Sequence, residues 1–321
     1  MENFDIVIVG AGSAGCIITN QIINNTNYKV LLIEAGPGDN KLVIQIPLGY
    51  GMTFYHKKMN WNFYSEIQNN LYNREIYYPR GKALGGSGSI NAMIYARGLR
   101  SDFENWNLNK YWSWENIKTT YDQIECAVND KTQILPSNKI PVNDVSHQHH
   151  SILKNFFDAS HDFDFTLNKQ LKSTLENQVG NYNVNIFKGL RTSSSKVFLK
   201  PIKNHPNLTI LTKTEILKLN YENKKILSLN IKHKNEIITV KPKIGTILSS
   251  GSIMTPYLLL KSGIGNTDEL KEHNIPVNLH SPHVGKNFQD HLGLDYLYKT
   301  FMPTLNKDLG SWSGRIKSVL R

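Results

Sequence analysis

The sequence predicts an α/β protein: a parallel sheet with crossing helices and a β-meander attached to it. Three observations carry this prediction. A β-branched run opens directly into closely spaced glycines at residues 4–15, a helical stretch and a second apolar run follow by residue 33, and five short apolar runs alternate with polar turns between residues 207 and 250.

The first element is Phe4–Val9, a short β-branched run with the character of a buried parallel strand. It enters Gly10-Ala11-Gly12-Ser13-Ala14-Gly15, a G-x-G-x-x-G. An apolar helix (Cys16, Ile17, Ile18, Ile22, Ile23) follows and is expected to break at the polar turn Asn24–Asn27. Val30–Ile33 is the second strand, with Glu34 at its end, nineteen residues after Gly15. Each glycine has a physical role: Gly10 for the tight turn, Gly12 for approach to a pyrophosphate, Gly15 for close packing of helix on strand. The helix N-terminus offers free N–H groups and a positive dipole to phosphates. Glu34 is placed to accept hydrogen bonds from an adenosine ribose. This context points to a dinucleotide site; the motif does not separate FAD from NAD, although an acid here disfavours a 2′-phosphate.

Residues 37–78 form a loop-rich excursion punctuated by Pro37, Gly38, Pro47, Gly49 and Gly51 and filled with aromatics such as Phe54, Trp61 and Phe63. A segment of this kind is either a cover or a surface loop anchored by its rings. Gly81, Gly85, Gly86 and Gly88, with Ser87, Ser89 and Asn91 close behind, make a second cradle for an anion or cofactor. Residues 101–123 read as an interrupted helix, and residues 126–190 carry little pattern. Within them His147, His149 and His150 lack a Cys or acid at ligand spacing and read as a solvated loop. Arg191-Thr192-Ser193-Ser194-Ser195 precedes a short apolar helix ending at Pro201. Strands follow at Leu208–Leu211, Glu215–Leu219, Ile226–Ile231, Glu236–Val240 and Thr246–Ser249, separated by Asn-Lys turns, and read as a meander inserted in, then returning to, the nucleotide-binding sheet. Gly251–Gly265 is a strand-to-helix junction with Gly263 as its stop, and Val284–His291 closes the legible part.

Composition narrows the function classes. The net charge of +11 is scattered, with only short pairs such as Lys57-Lys58 and Lys224-Lys225, whereas a nucleic-acid binder would gather it into a strip interleaved with aromatics. No nucleic-acid partner is expected. No stretch approaches the ~20 apolar residues needed to span a bilayer, so no membrane association is expected. Glu2 and Asp5 stand where a signal peptide would be basic, and two cysteines cannot build a disulfide framework. An intracellular, cytoplasmic location is expected.

Taken in order, these motifs resemble the glucose–methanol–choline (GMC) oxidoreductases, flavoenzymes that oxidise alcohols. The likeness rests on the N-terminal motif with Glu34, on Gly81–Glu104 and Gly251–Gly265, which look like the family's two signature patterns, and on Val284–His291. Asn60-Trp61-Asn62-Phe63-Tyr64 and Asp102-Phe103-Glu104 with Trp106 look like its choline-dehydrogenase branch. The resemblance implies an FAD-binding Rossmann-like domain of the glutathione-reductase type with a β-meander, plus an incomplete α+β substrate domain. Its segments would be 1–45, 79–105 and 191–295 for FAD binding, 46–78 as a cover, 106–190 as part of the substrate domain, and 296–321 as the start of its return. It further implies that Gly10, Gly12, Ser13, Ala14 and Gly15 hold the pyrophosphate of FAD, Glu34 and Ala35 its ribose, and the Ile216 backbone its adenine. Ser87, Asn91, Ala92, Met93 and Ile94 would face the pyrophosphate and isoalloxazine. Covalently flavinylated relatives carry a histidine where Ile90 stands, so FAD is expected to be non-covalent.

The family's catalytic histidine and its second His or Asn lie in a C-terminal part that has no counterpart here. The chain is therefore expected to be a truncated copy that binds FAD but does not oxidise an alcohol alone, with no catalytic residue of its own. Two alternatives stand beside this: half of a split alcohol or choline dehydrogenase that takes a small alcohol only when a second chain completes it, or a non-enzymatic flavin-fold binding module.

Overall fold

The computed structural model describes residues 3–106, 108–128, 134–168, 178–222, 225–291, 293 and 295–314. The turn at Asn223-Lys224 and the terminal Leu320-Arg321 lie outside the described residues.

Strands β1 (Ile6–Val9) and β2 (Val30–Ile33) are buried along their whole length and are joined by helix α1 (Ser13–Asn25). Unbroken Val, Leu and Ile runs suit strands covered on both faces, which alternating strands would not. The two pair in parallel, Ile6 opposite Val30. β3 (Leu208–Leu211) adds beyond β2, Leu208 opposite Val30. β4 (Thr214–Glu222), β5 (Lys225–His233) and β6 (Glu236–Val240) then form an antiparallel meander. β7 (Gly245–Leu248) returns to the parallel sheet beside β1, giving the order β3-β2-β1-β7. Among the described residues β7 is the last strand on its side.

The side-chain period of two sends alternate residues of β1 and β2 into separate cores. Ile6, Ile8, Val30 and Leu32 pack with Cys16 and Ile23 of α1 and with Val197, Phe198 and Leu199. Val7, Val9, Leu31 and Ile33 pack with Leu219, Leu229, Ile231 and Val240 of the meander. Helix α2 (Gly251–Lys261) leaves the end of β7, and its Leu258 joins the meander-side core. Ser262 Oγ accepts the Leu219 N–H at 2.9 Å, and Gly263 (φ +78°) stops the helix as its sequence suggested. Helix, sheet and meander thus make three layers.

The structure departs from sequence expectation in several places. α1 runs through Asn24 and Asn25 because each side chain braces the last turn: Asn24 Nδ2 donates to Asn20 Oδ1 at 3.1 Å, and Asn25 Nδ2 to the Gln21 carbonyl at 2.8 Å. The interrupted helix separates into Arg100–Asn105 and Trp114–Ile124. The excursion contains short helices Leu42–Gln45 and Tyr50–Thr53 and a small hairpin, Phe63–Tyr64 with Tyr77–Tyr78. The weakly patterned region supplies three strands, Glu125–Val128, Ile140–Asn143 and Asn183–Val184, to a second sheet completed by Ile94–Tyr95.

Candidate cofactor site

A cleft of about 670 Å³ opens at the carboxyl ends of the parallel strands, with Val9, Ile33 and Leu248, the last residues of β1, β2 and β7, in its wall. This is where open α/β sheets place ligands. Gly10, Gly12, Ser13 and Ala14 form one side. Gly10 takes φ +97°, and a Cβ there would fall 2.6 Å from the Ser249 carbonyl oxygen, so the turn requires glycine. Gly12 is different: a Cβ there would have its nearest neighbour at 3.9 Å, which leaves bare backbone facing the cleft. Gly15 is not in the wall. Its Cβ would come 2.0 Å from the Gly10 oxygen, so it permits the packing of α1 on β1.

Helix ends give the cleft its electrostatic character. α1 begins at Ser13 with no side-chain cap and no acid in its first turn, and α2 begins at Gly251 in the same way. Both N-termini line the cleft and offer unpaired N–H groups and positive dipole ends to an anion. Ser249 Oγ donates to the Gly10 carbonyl at 2.8 Å and Ser250 Oγ to that of Val9 at 3.1 Å, tying β7 to the first turn.

Glu34 lies at the cleft edge with 6% of its surface exposed. Its Oε2 accepts the Ala11 N–H at 3.0 Å and its Oε1 the Gly36 N–H at 2.9 Å. Burial nevertheless outweighs these bonds and pushes the carboxyl up to about 7. Ala35 lines the cleft beside it, and the Thr214 N–H donates to the Glu34 carbonyl at 3.0 Å, which brings Ile216 of β4 into the opposite wall.

The second glycine turn is pressed against the first. The Gly85 N–H donates to the Ala11 carbonyl at 2.7 Å, and Gly86 (φ +57°) approaches so closely that its Cβ would lie 2.7 Å from Gly12 Cα. Ser87 lines the cleft, and its Oγ accepts the Gly81 N–H at 3.1 Å. Asn91, Ala92, Met93 and Ile94 do not line it. The Asn91 N–H bonds the Ser87 carbonyl at 2.9 Å, so these four begin one turn beyond the wall, with Asn91, Ala92 and Ile94 exposed and Met93 buried at φ +60°.

Several lining residues carried no assigned role in the sequence. Trp61 and Phe63 stack with centroids 5.7 Å apart, and Lys82 Nζ sits 4.1 Å over the Trp61 ring. Arg80, also in the wall, pairs with Asp290 at 2.7 Å and so binds residues 284–291 to the cleft rim. The aromatic run 61–64 was a sequence signal, whereas nothing local marks Arg80 or Ser249–Ser250. No histidine lines the cleft among the described residues. His291 is exposed beside Asp290, whose Oδ1 accepts its backbone N–H. No group of three or more His, Cys, Asp or Glu among the described residues is arranged to hold a metal. No described helix is long and apolar enough to cross a membrane.

A family model for the GMC oxidoreductases matches residues 4–293. The chain belongs to the GMC oxidoreductases. Its sheet and meander are the FAD-binding part of that fold, as the sequence predicted. This GMC chain is 36% identical over 297 residues to an alcohol dehydrogenase (acceptor) of Pseudomonas putida, covering 91% of this chain and 54% of that one. It is 30% identical over 314 residues to an oxygen-dependent choline dehydrogenase of Photobacterium profundum, covering 96% and 55%. The crystal structure of pyridoxine 4-oxidase from Mesorbium loti superposes with a TM-score of 0.80 at 27% identity, over 87% of this chain and 56% of that one. The GMC chain thus spans about half the length of the relatives it matches.

Proposed function

We propose that the cleft holds FAD non-covalently and that this 321-residue chain, by itself, does not oxidise an alcohol. The observation that carries the reading is the make-up of the wall. Groups suited to a dinucleotide converge on the strand ends, and no imidazole accompanies them among the described residues. The residues fit the cofactor: Gly12 leaves room for a phosphate, two uncapped helix ends face it, and Glu34 offers ribose-binding oxygens. Gly10, Ser13, Ala14 and Ser87 would complete the pyrophosphate cradle, Ala35 the ribose wall and the Ile216 backbone the adenine wall. Asn91, Ala92, Met93 and Ile94 would underlie the ring system one turn further on.

When bound, FAD supplies a hydride acceptor for a CH–OH carbon. The protein's remaining task is to orient the alcohol and take its hydroxyl proton, and a positioned base is worth typically 10²–10⁴-fold. None of the lining side chains is suited to this role. Glu34 is tied to two backbone N–H groups, and Arg80 is a cation paired with Asp290. The proton acceptor would then come from protein beyond these 321 residues that adds to this surface. Leu297, Tyr298 and Phe301, almost fully exposed, favour that reading over a self-sufficient binding module. Such a complex would take a small alcohol, of which choline is one candidate. Ile90 is buried where a flavin-linking histidine would stand, which supports a dissociable cofactor.

The test is a visible spectrum of the purified chain after incubation with FAD and gel filtration. Retained flavin absorbance that acid precipitation releases into the supernatant is expected, with no anaerobic bleaching by choline or a simple alcohol. A colourless chain that takes up no FAD overturns the binding assignment, and bleaching by an alcohol without added protein overturns the second part.

A further inference from the structure

Among the described residues that line the cleft, only Arg80 has a cationic side chain; Glu34 and Glu215 carry the opposite charge. Arg80 stands beside the glycine turns. A Cβ on Gly81 would lie 2.1 Å from the Gly86 oxygen, and Gly86 in turn presses on Gly12, the bare backbone that faces the cleft. The Arg80 guanidinium carries five N–H donors. Nη1 donates to the Pro79 carbonyl at 2.9 Å and Nη2 to Asp290 Oδ2 at 2.7 Å, and the group lies 5.8 Å from the centre of the Tyr78 ring. The cleft's cation is thus held by a carboxylate from a distant part of the chain.

That carboxylate belongs to a strap whose near end is anchored. The Ser281 N–H donates to the Gly265 carbonyl at 2.8 Å, Lys286 pairs with Glu269, and a Cβ on Gly285 would lie 3.3 Å from Leu260 of α2. The far end is lightly held. From Asn287 to Asp290 no backbone–backbone hydrogen bond forms among the described residues. The contacts there are Phe288 edge-on to Tyr78, with centroids 5.7 Å apart, and Asp290 on Arg80. α2 and Arg80 both belong to the cleft wall, so the strap ties two of its elements together. Burial works to raise the Asp290 carboxyl, but the bonds from Arg80 and the His291 N–H outweigh it and hold the group below its ordinary value. The latch is therefore charged at neutral pH.

We propose that residues 284–291 are a latched strap that phosphate charge in the cleft opens, because a bound diphosphate and Asp290 compete for the Arg80 guanidinium. The inference rests on the proposed reading of the cleft as a dinucleotide site. A half-exposed ion pair contributes little stability, so the latch yields readily. A phosphate offers the same guanidinium a charge-assisted, two-pronged bond. Two anions on one guanidinium repel each other, so each disfavours the other. By linkage the effect is reciprocal: the phosphate loosens the strap, and the latched strap lowers phosphate affinity by the same factor.

The test compares the unaltered chain with Asp290→Asn and Arg80→Met. FAD affinity is read by fluorescence quenching, and strap opening by the rate of chymotrypsin cleavage after Phe288. In the unaltered chain FAD is expected to speed that cleavage. Asp290→Asn removes the competitor, so FAD should bind about two- to fivefold tighter, and cleavage should be fast with or without FAD. Arg80→Met also frees the strap but should bind FAD more weakly. A pair that only braced the fold would move both variants in the same direction. An Asp290→Asn protein with no gain in FAD affinity overturns this inference alone, even where Arg80→Met does not fold. So does cleavage of the unaltered chain that bound FAD slows or leaves unchanged. An unaltered chain that binds no FAD overturns the proposed function and this inference with it.

Discussion

The backbone N–H of Ala11 donates to Glu34 Oε2 at 3.0 Å, joining the first glycine turn to the acid at the end of β2 across twenty-three residues of sequence. The proposed phosphate cradle and the proposed ribose acceptor are therefore one hydrogen-bonded unit, and titrating the acid acts on both.

Glu34 gives a pH dependence with a definite sign. Its carboxyl titrates near 4.5 ordinarily and at about 7 in the fold, chiefly through burial. The folded state thus holds the proton more tightly, so this group's stabilising contribution is complete below about pH 4.5 and is lost as pH rises to about 7. Ribose hydroxyls donate best to the ionised form, so FAD affinity should move in the opposite direction. We expect the dissociation constant to be about tenfold higher at pH 6 than at pH 8, by calorimetry, and Glu34→Gln to flatten that dependence.

Gly12 and Gly15 should separate binding from folding. Gly12 has an extended backbone and open space at its Cβ, so Gly12→Val should melt near the unaltered temperature yet fail to bind FAD. Gly15→Val drives a side chain into the Gly10 carbonyl and should cost about 1–3 kcal/mol or more in a urea titration.

Leu229 is fully buried between the meander and the parallel sheet. Leu229→Ala should cost about 2–5 kcal/mol by chemical denaturation, because the surrounding side chains collapse only partly into the space. A loss below 0.5 kcal/mol, on the order of a surface substitution, would contradict the layered packing.

Arg80 and Asp290 form a half-exposed pair, with side-chain exposures of 29% and 42%. Asp290→Asn should change global stability by only about 0–1 kcal/mol. Its effect should be local: limited proteolysis is expected to cut residues 284–291 sooner, since Arg80 no longer holds them to the rim.

The sequence revealed the elements whose signals are local. Phe4–Val9 was legible because β-branched residues run straight into Gly10, and Glu34 because its distance from Gly15 is set by one helix and one strand. Leu208–Leu211 and Glu236–Val240 matched to the residue, whereas the two strands between them appeared one to three residues short at each end, because Thr214, Glu222 and His233 extend the pairing at polar positions where hydropathy falls away. The second sheet was not seen at all. Its strands are two to four residues long and pair segments far apart in the chain, such as Tyr95 with Asn183. Arg80 stayed hidden for the same reason, since its partner Asp290 lies 210 residues away.

β7 closes the described parallel sheet, hydrogen-bonded to β1 on one side and, among the described residues, with no strand on the other. A border of this kind is a template onto which an extended strand can anneal. It gives the molecule a built-in place for growth by strand addition, and the same property makes concentrated solutions of the isolated chain prone to stacking edge on edge.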